Sequence, residues 1–183
     1  ALDIYKNAGN KDGTVNALNL LGFLYRDIDN YDEALNCLVQ AMEICDVTGT
    51  PYKCTAIKFQ MGVIYLKLQD PGKAKEYLDI ALAFAEETGN MNFASTCLDQ
   101  LGLYFKAVDK QQMALQYFKR ALEAAKQGGE THLIFSPALN IGKIYMEMKN
   151  FPQAFEFIQK ALNNAELSNN KRFMCDALYN LGE

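Results

Sequence analysis

Displacing the sequence by 40 residues brings it into register with itself, four times over. The pairs Leu21-Gly22, Met61-Gly62, Leu101-Gly102, Ile141-Gly142 and Leu181-Gly182 fall on one comb. A second comb runs through Ala1, Ala41, Ala81, Ala121 and Ala161, and a third through Gly9, Gly49, Gly89, Gly129 and Asn169. A fixed period of this length marks a solenoid, in which each unit buries its apolar face only against its neighbours. Nothing catalytic recurs at that period, so the chain is expected not to be an enzyme, although a catalytic domain attached outside it is compatible with the pattern.

Within each 40-residue unit the apolar spacing is helical. Leu18, Leu21, Leu24, Tyr25 and Ile28 recur at three and four, and after a short break Ala34, Leu35, Leu38, Ala41, Met42 and Cys45 do the same. Two amphipathic helices per unit follow. The spacing predicts helices near 11–28, 31–47, 51–68, 71–87, 91–108, 111–127, 131–148, 151–167 and from 171 onward.

The turns carry matching signals. Asn30, Asp70, Asp109 and Asn150 open the second helices, with side chains able to accept from orphan backbone N–H groups. Asn30 with Glu33, Asp109 with Gln112 and Asn150 with Gln153 have capping-box spacing, whereas Asp70 precedes Pro71, which is favourable at a first helical position. Gly49, Gly89 and Gly129 are placed to end helices in the left-handed conformation, with Asn169 as a substitute. Thr50, Asn90 and Asn170 then stand where they can cap the next helix.

The full organisation expected is one all-α solenoid domain over 1–183, with units at 11–50, 51–90, 91–130 and 131–170 and partial units at 1–10 and 171–183. Neither end shows a polar capping helix, so a piece of a longer protein is expected.

Composition excludes several partner classes. The net charge is −4 and the basic residues are dispersed, which argues against nucleic acid and against an anionic membrane surface. No apolar run approaches the roughly 18 residues of a membrane span. Five cysteines (Cys37, Cys45, Cys54, Cys97, Cys175) form no C-x-x-C pair and are expected to be reduced, small hydrophobes of a cytoplasmic protein. With His132 the only histidine, neither a metal nor another cofactor is expected.

The chain resembles the tetratricopeptide repeat family. The L-G-x2-Y element reads Leu21-Gly22 with Tyr25, Met61-Gly62 with Tyr65, Leu101-Gly102 with Phe105 and Ile141-Gly142 with Tyr145. The A-x3-F element reads Ala34 with Leu38, Ala74 with Leu78, Ala114 with Phe118 and Ala154 with Ile158. HEAT repeats have a similar period, but these two elements favour the tetratricopeptide reading. The departures are Leu18, Lys58, Leu98 and Ala138 in place of tryptophan, Asp46, Glu86, Lys126 and Glu166 in place of proline, and a unit longer than the usual one of about 34 residues. That long variant is similar to arrays in spindle-orientation adaptors, kinesin light chains and sensory regions of bacterial signalling proteins.

The resemblance implies a right-handed superhelical solenoid of antiparallel helix pairs, with the first helix of each unit lining a concave groove. By position that groove presents Asn16, Asn19, Phe23 and Arg26, then Phe59, Gln60, Val63 and Lys67. It continues with Thr96, Asp99, Gln100, Leu103 and Lys106, then Leu139, Asn140, Lys143 and Glu147, then Tyr179 and Asn180. Gln60, Gln100, Asn140 and Asn180 form a column just before each Leu-Gly pair, interrupted by Leu20. Such amides carry donor and acceptor and suit the backbone of an extended peptide; the alternative is that they are solvated or satisfy neighbouring helix groups.

Pro137 falls inside a predicted first helix, so that helix either starts late, with Ser136 as cap, or kinks. The functional expectation is a protein or peptide partner bound in the groove of a sensory or docking region of a larger regulatory protein. The alternative is a passive scaffold that self-associates through its ends, at Ala1–Ala8 or Phe173–Leu181.

Overall fold

The computed structural model describes residues 2–48 and 50–182; Ala1, Gly49 and Glu183 lie outside them, so the roles expected of Ala1 in the alanine comb and of Gly49 as a helix stop are not described. The described residues form ten α-helices, one 3₁₀ turn and no strand. These are α1 (Leu2–Asn7), α2 (Lys11–Asp27), α3 (Tyr31–Thr48), α4 (Pro51–Lys67) and α5 (Pro71–Glu87). They continue with α6 (Met91–Ala107), α7 (Gln111–Gly128), the 3₁₀ turn Thr131–Ile134, α8 (Phe135–Glu147), α9 (Phe151–Leu167) and α10 (Lys171–Gly182). Every helix anticipated from the 40-residue period is present, because the apolar spacing and the break residues repeat together.

Two compact units are distinguished, Ala1–Phe84 and Ala85–Glu183. In the first, Val15, Leu18, Leu38, Cys45, Ile57 and Ile64 make the core. In the second, Phe105, Phe118, Ile141, Ile144, Ile158 and Ala177 do so.

The Leu-Gly comb and the A-x3-F comb meet within each helix pair. A Cβ on Gly22 would stand 2.8 Å from Leu38, on Gly62 3.0 Å from Leu78, on Gly102 2.5 Å from Phe118, and on Gly142 2.5 Å from Ile158. The glycine of the first helix is the socket for the large residue of the second. Nothing larger than hydrogen fits without displacing that neighbour.

The turns follow a different chemistry from the expected one at several points. Asp29, Gln69, Asp109 and Lys149 are all left-handed, with φ from 57° to 58°, although none is glycine. Each closes a first helix, with the next residue's N–H bonded back to a carbonyl five residues earlier, as in Asn30 to Tyr25 at 2.9 Å and Lys110 to Phe105 at 2.9 Å. Asp109 is therefore the left-handed turn residue and not the cap of α7; Lys110 precedes α7 and gives no side-chain cap.

Asn30 and Asp70 do cap, accepting from Glu33 N–H at 3.4 Å and Lys73 N–H at 3.1 Å. Asn150 instead donates its side-chain amide to Gln153. Asn90 and Asn170 cap α6 and α10, at 3.0 Å and 3.2 Å, but Thr50 makes no side-chain cap to α4.

The Pro137 irregularity resolves as a 3₁₀ turn followed by a late start. α8 opens at Phe135, so Pro137 is its third residue, where a backbone N–H would have no helical partner anyway. Ser136 lies inside that first turn and is not its cap.

The cysteines also depart from expectation. Cys45, at the end of α3, and Cys54, at the start of α4, are joined in a disulfide, while Cys37, Cys97 and Cys175 are free. Spacing gave no sign of it, because the pair is brought together by the reversal between two helices.

Candidate functional site

In the first unit α2 and α4 lie side by side, and their facing side chains form a cavity of about 410 Å³. Asn16, Asn19, Leu20, Phe23 and Gln60 line it. Gln60 is only 8% exposed. Its Nε2 donates to Asn19 Oδ1 at 2.6 Å, and its Oε1 is buried without a partner. An amide oxygen so placed is costly unless a donor reaches it. Phe23 is partly exposed, with the Arg26 guanidinium 4.4 Å above its ring and paired to Asp27 at 3.1 Å. Phe59 and Val63 are half-buried on α4, and Lys67 is exposed at its end.

In the second unit the corresponding row contains a buried carboxylate. Asp99 on α6 is 7% exposed. Its Oδ2 accepts from Ser136 Oγ at 2.7 Å, and its Oδ1 accepts from Asn140 Nδ2 at 3.2 Å. Burial raises the Asp99 pKa to about 6, against the opposing pull of the Ser136 and Asn140 hydrogen bonds. Further along, Lys106 Nζ pairs with Glu147 Oε1 at 2.7 Å, and Gln111 donates to Glu147 Oε2 at 3.1 Å. Thr96 bonds back to the Asn92 carbonyl of its own helix. Gln100, Leu103 and Lys143 are half-buried and Leu139 is buried. Tyr179 is exposed, and Asn180 donates to the Asp176 carbonyl within α10.

A rule not visible in the period emerges from these contacts. Asn19–Gln60, Asp99–Asn140, Lys106–Glu147 and Asp12–Lys53 are all 41 residues apart. Residues 40 apart occupy equivalent positions and point the same way. The next residue is rotated about 100° further round its helix, toward the preceding first helix. Gln60 and Asn140 thus use one donor each to stitch neighbouring first helices together. Ser136 was not anticipated in this role; adding 37 and 41 to the position of Asp99 would have found both of its partners.

Among the described residues no group of three His, Cys, Asp or Glu side chains could hold a metal ion, and no helix is long and apolar enough to cross a membrane.

Three sequence models, each described as a tetratricopeptide repeat, match residues 14–45, 54–127 and 138–166. No curated protein matches the sequence. Among solved structures, BtubC from P. vanneervenii is 19% identical with a TM-score of 0.73, over 87% of this chain and 66% of its own. The apo form of RapI is 20% identical with a TM-score of 0.78, over 91% and 61%. A signal-transduction ATPase with a tetratricopeptide repeat sensor, from Pyrococcus horikoshii, is 19% identical with a TM-score of 0.77, over 93% of this chain and 26% of its own. The chain therefore spans less than two thirds of the length of each of these proteins, and the likeness is one of fold.

Proposed function

The chain belongs to the tetratricopeptide repeat family, and on that premise we propose that it is a protein-interaction module that holds an extended peptide segment along its first helices. The observation that carries this reading is the cavity around Gln60, where amides of Asn16, Asn19 and Gln60 stand beside the apolar Leu20 and Phe23. Amides suit a peptide backbone and the apolar pair suits one side chain of the segment. In the second unit Gln100, Leu103, Asn140 and Lys143 offer the same mixture. A mildly acidic-to-neutral, partly apolar peptide fits best, because Arg26 and Lys106 are already balanced by Asp27 and Glu147.

The likeness to the repeat sensor of a signal-transduction ATPase supports a sensory or docking region of a larger regulatory protein. Cytoplasmic residence, absence of direct nucleic-acid or membrane binding and absence of intrinsic catalysis belong to the same proposal. The test is fluorescence anisotropy against a library of short, capped, neutral peptides. Binders should lose about tenfold in affinity in Asn16→Ala with Phe23→Ala, at an unchanged melting temperature. Unchanged affinity in that variant overturns the site.

A second reading, self-association, is favoured by one observation. Leu178 and Tyr179 on α10 and Phe151 and Phe155 on α9 are all exposed. It requires a concentration-dependent dimer that Tyr179→Asp abolishes. A monomer at every concentration in analytical ultracentrifugation rejects it.

A further inference from the structure

We propose that the Cys45–Cys54 bond is a reversible thiol-exchange site, at which a low-molecular-weight thiol of the glutathione class opens and recloses a clasp between α3 and α4. The register of the repeats is the first argument. The position of Cys45 is held by Ala85, Ala125 and Ala165 in the other units, and that of Cys54 by Ala94, Ile134 and Met174. Ala85, Ala125 and Ala165 are fully buried, so these other junctions pack with no covalent link. The fold does not need the bond; this junction alone has it among the described residues.

The cap is the second argument. Asn90 and Asn170 tie down the first turns of α6 and α10, but Thr50 offers α4 no side-chain cap. The disulfide holds the first turn of α4 where that hydrogen bond is missing. Other ties there are the ion pair of Lys53 with Asp12 on α2 and the contact of the Tyr52 ring with Phe84 on α5.

The two sulfurs are also unequally accessible. Cys54 is half-buried and Cys45 is fully buried, so an incoming thiolate attacks Cys54 Sγ and expels Cys45 as the leaving thiolate. Cys45 then takes a proton from water, and its thiol finds the Thr50 carbonyl 3.8 Å away. A second thiolate attacks the external sulfur of the mixed disulfide, releasing the oxidised small molecule and the Cys54 thiolate. The protein disulfide is reduced by two electrons while two small thiols become one disulfide, and the reverse sequence recloses the clasp. The other cysteines do not compete for it. Cys97 is fully buried with its thiol pushed up to about 12, Cys37 is buried, and Cys175 is exposed on α10, in the other unit.

The experiment equilibrates the whole chain in buffers of reduced and oxidised glutathione, reads each cysteine by differential alkylation and mass spectrometry, and follows amide exchange. The expected result is a bond that forms with oxidised glutathione and opens with reduced glutathione in the millimolar range. Helical circular dichroism should be unchanged while amides of 50–55 exchange about tenfold faster and those of 111–128 stay as they were. Cys45→Ala with Cys54→Ala, which copies the Ala85 and Ala94 junction, should behave as the reduced form in every buffer. The proposal is overturned by both thiols free in oxidised glutathione, by a bond that survives millimolar reduced glutathione, or by loss of helical signal on reduction. Identical exchange in the two states also overturns it.

Discussion

Gln60 Nε2 meets Asn19 Oδ1 at 2.6 Å across 41 residues of sequence, joining two consecutive first helices through a side chain that is almost wholly buried. The amide column is thus partly a structural seam. Gln60 Oε1, on the same side chain, is buried without a hydrogen-bond partner.

The seam predicts an asymmetry between single and double variants. Asn19→Ala removes the shorter of the two bonds that the buried Gln60 amide donates, leaving only the Asn19 carbonyl at 3.5 Å, and should cost about 1 kcal/mol in urea melts. Asn19→Leu with Gln60→Leu replaces both partners by apolar groups and should lie close to wild type. A double variant as unstable as the single would show that the hydrogen bond is not the source of the loss.

Asp99 makes stability fall as pH rises. Its folded pKa, about 6, exceeds the ordinary aspartate value of 3.8, so between those values the folded chain holds a proton that the unfolded chain has released. Its contribution is most favourable below pH 4 and is lost by about pH 6, a swing of roughly 3 kcal/mol. Asp99→Asn should therefore be more stable than wild type at neutral pH, provided Asn140 turns its amide to accept, and the gap should close near pH 4. A gap independent of pH, measured by denaturant titration across that range, would contradict this.

The exposed pair contrasts with the buried one. Lys106 and Glu147 keep 36% and 41% of their side-chain surface in water. Lys106→Ala should cost less than about 1 kcal/mol, and the cost should shrink in high salt.

Gly102→Ala should destabilise by about 1–3 kcal/mol in thermal or urea melts, since its Cβ would stand 2.5 Å from the Phe118 ring. Gly182→Ala, with nothing within 4 Å of the new atom, should change little and serves as the control. Equal effects at the two positions would mean that the socket is not the reason for the comb.

In the amide column, Gln100→Ala with Asn140→Ala should abolish binding of any peptide held by the second unit. Retained affinity in anisotropy would assign the column to the seam alone. Asn140→Ala also removes a donor from Asp99, so this variant is to be compared with wild type at the same folded fraction.

The helices, their pairing and the Leu-Gly sockets were legible in the residues, because helix formation and close packing are local demands repeated every 40 positions. Asp109 was misread as a cap because Asp serves both at caps and in left-handed turns, and only the closing hydrogen bonds distinguish the two. The groove residues were named by position, but their partners were not, since facing side chains come from unlike positions on neighbouring helices. Ser136 reaching Asp99, Lys106 reaching Glu147 and Cys45 reaching Cys54 all depend on how one helix lies against another. Sequence alone determined the all-α repeat and its period, through apolar spacing that each helix carries within itself. Tertiary structure decided which polar groups are buried, paired or left open, because burial and pairing are properties of two surfaces brought together.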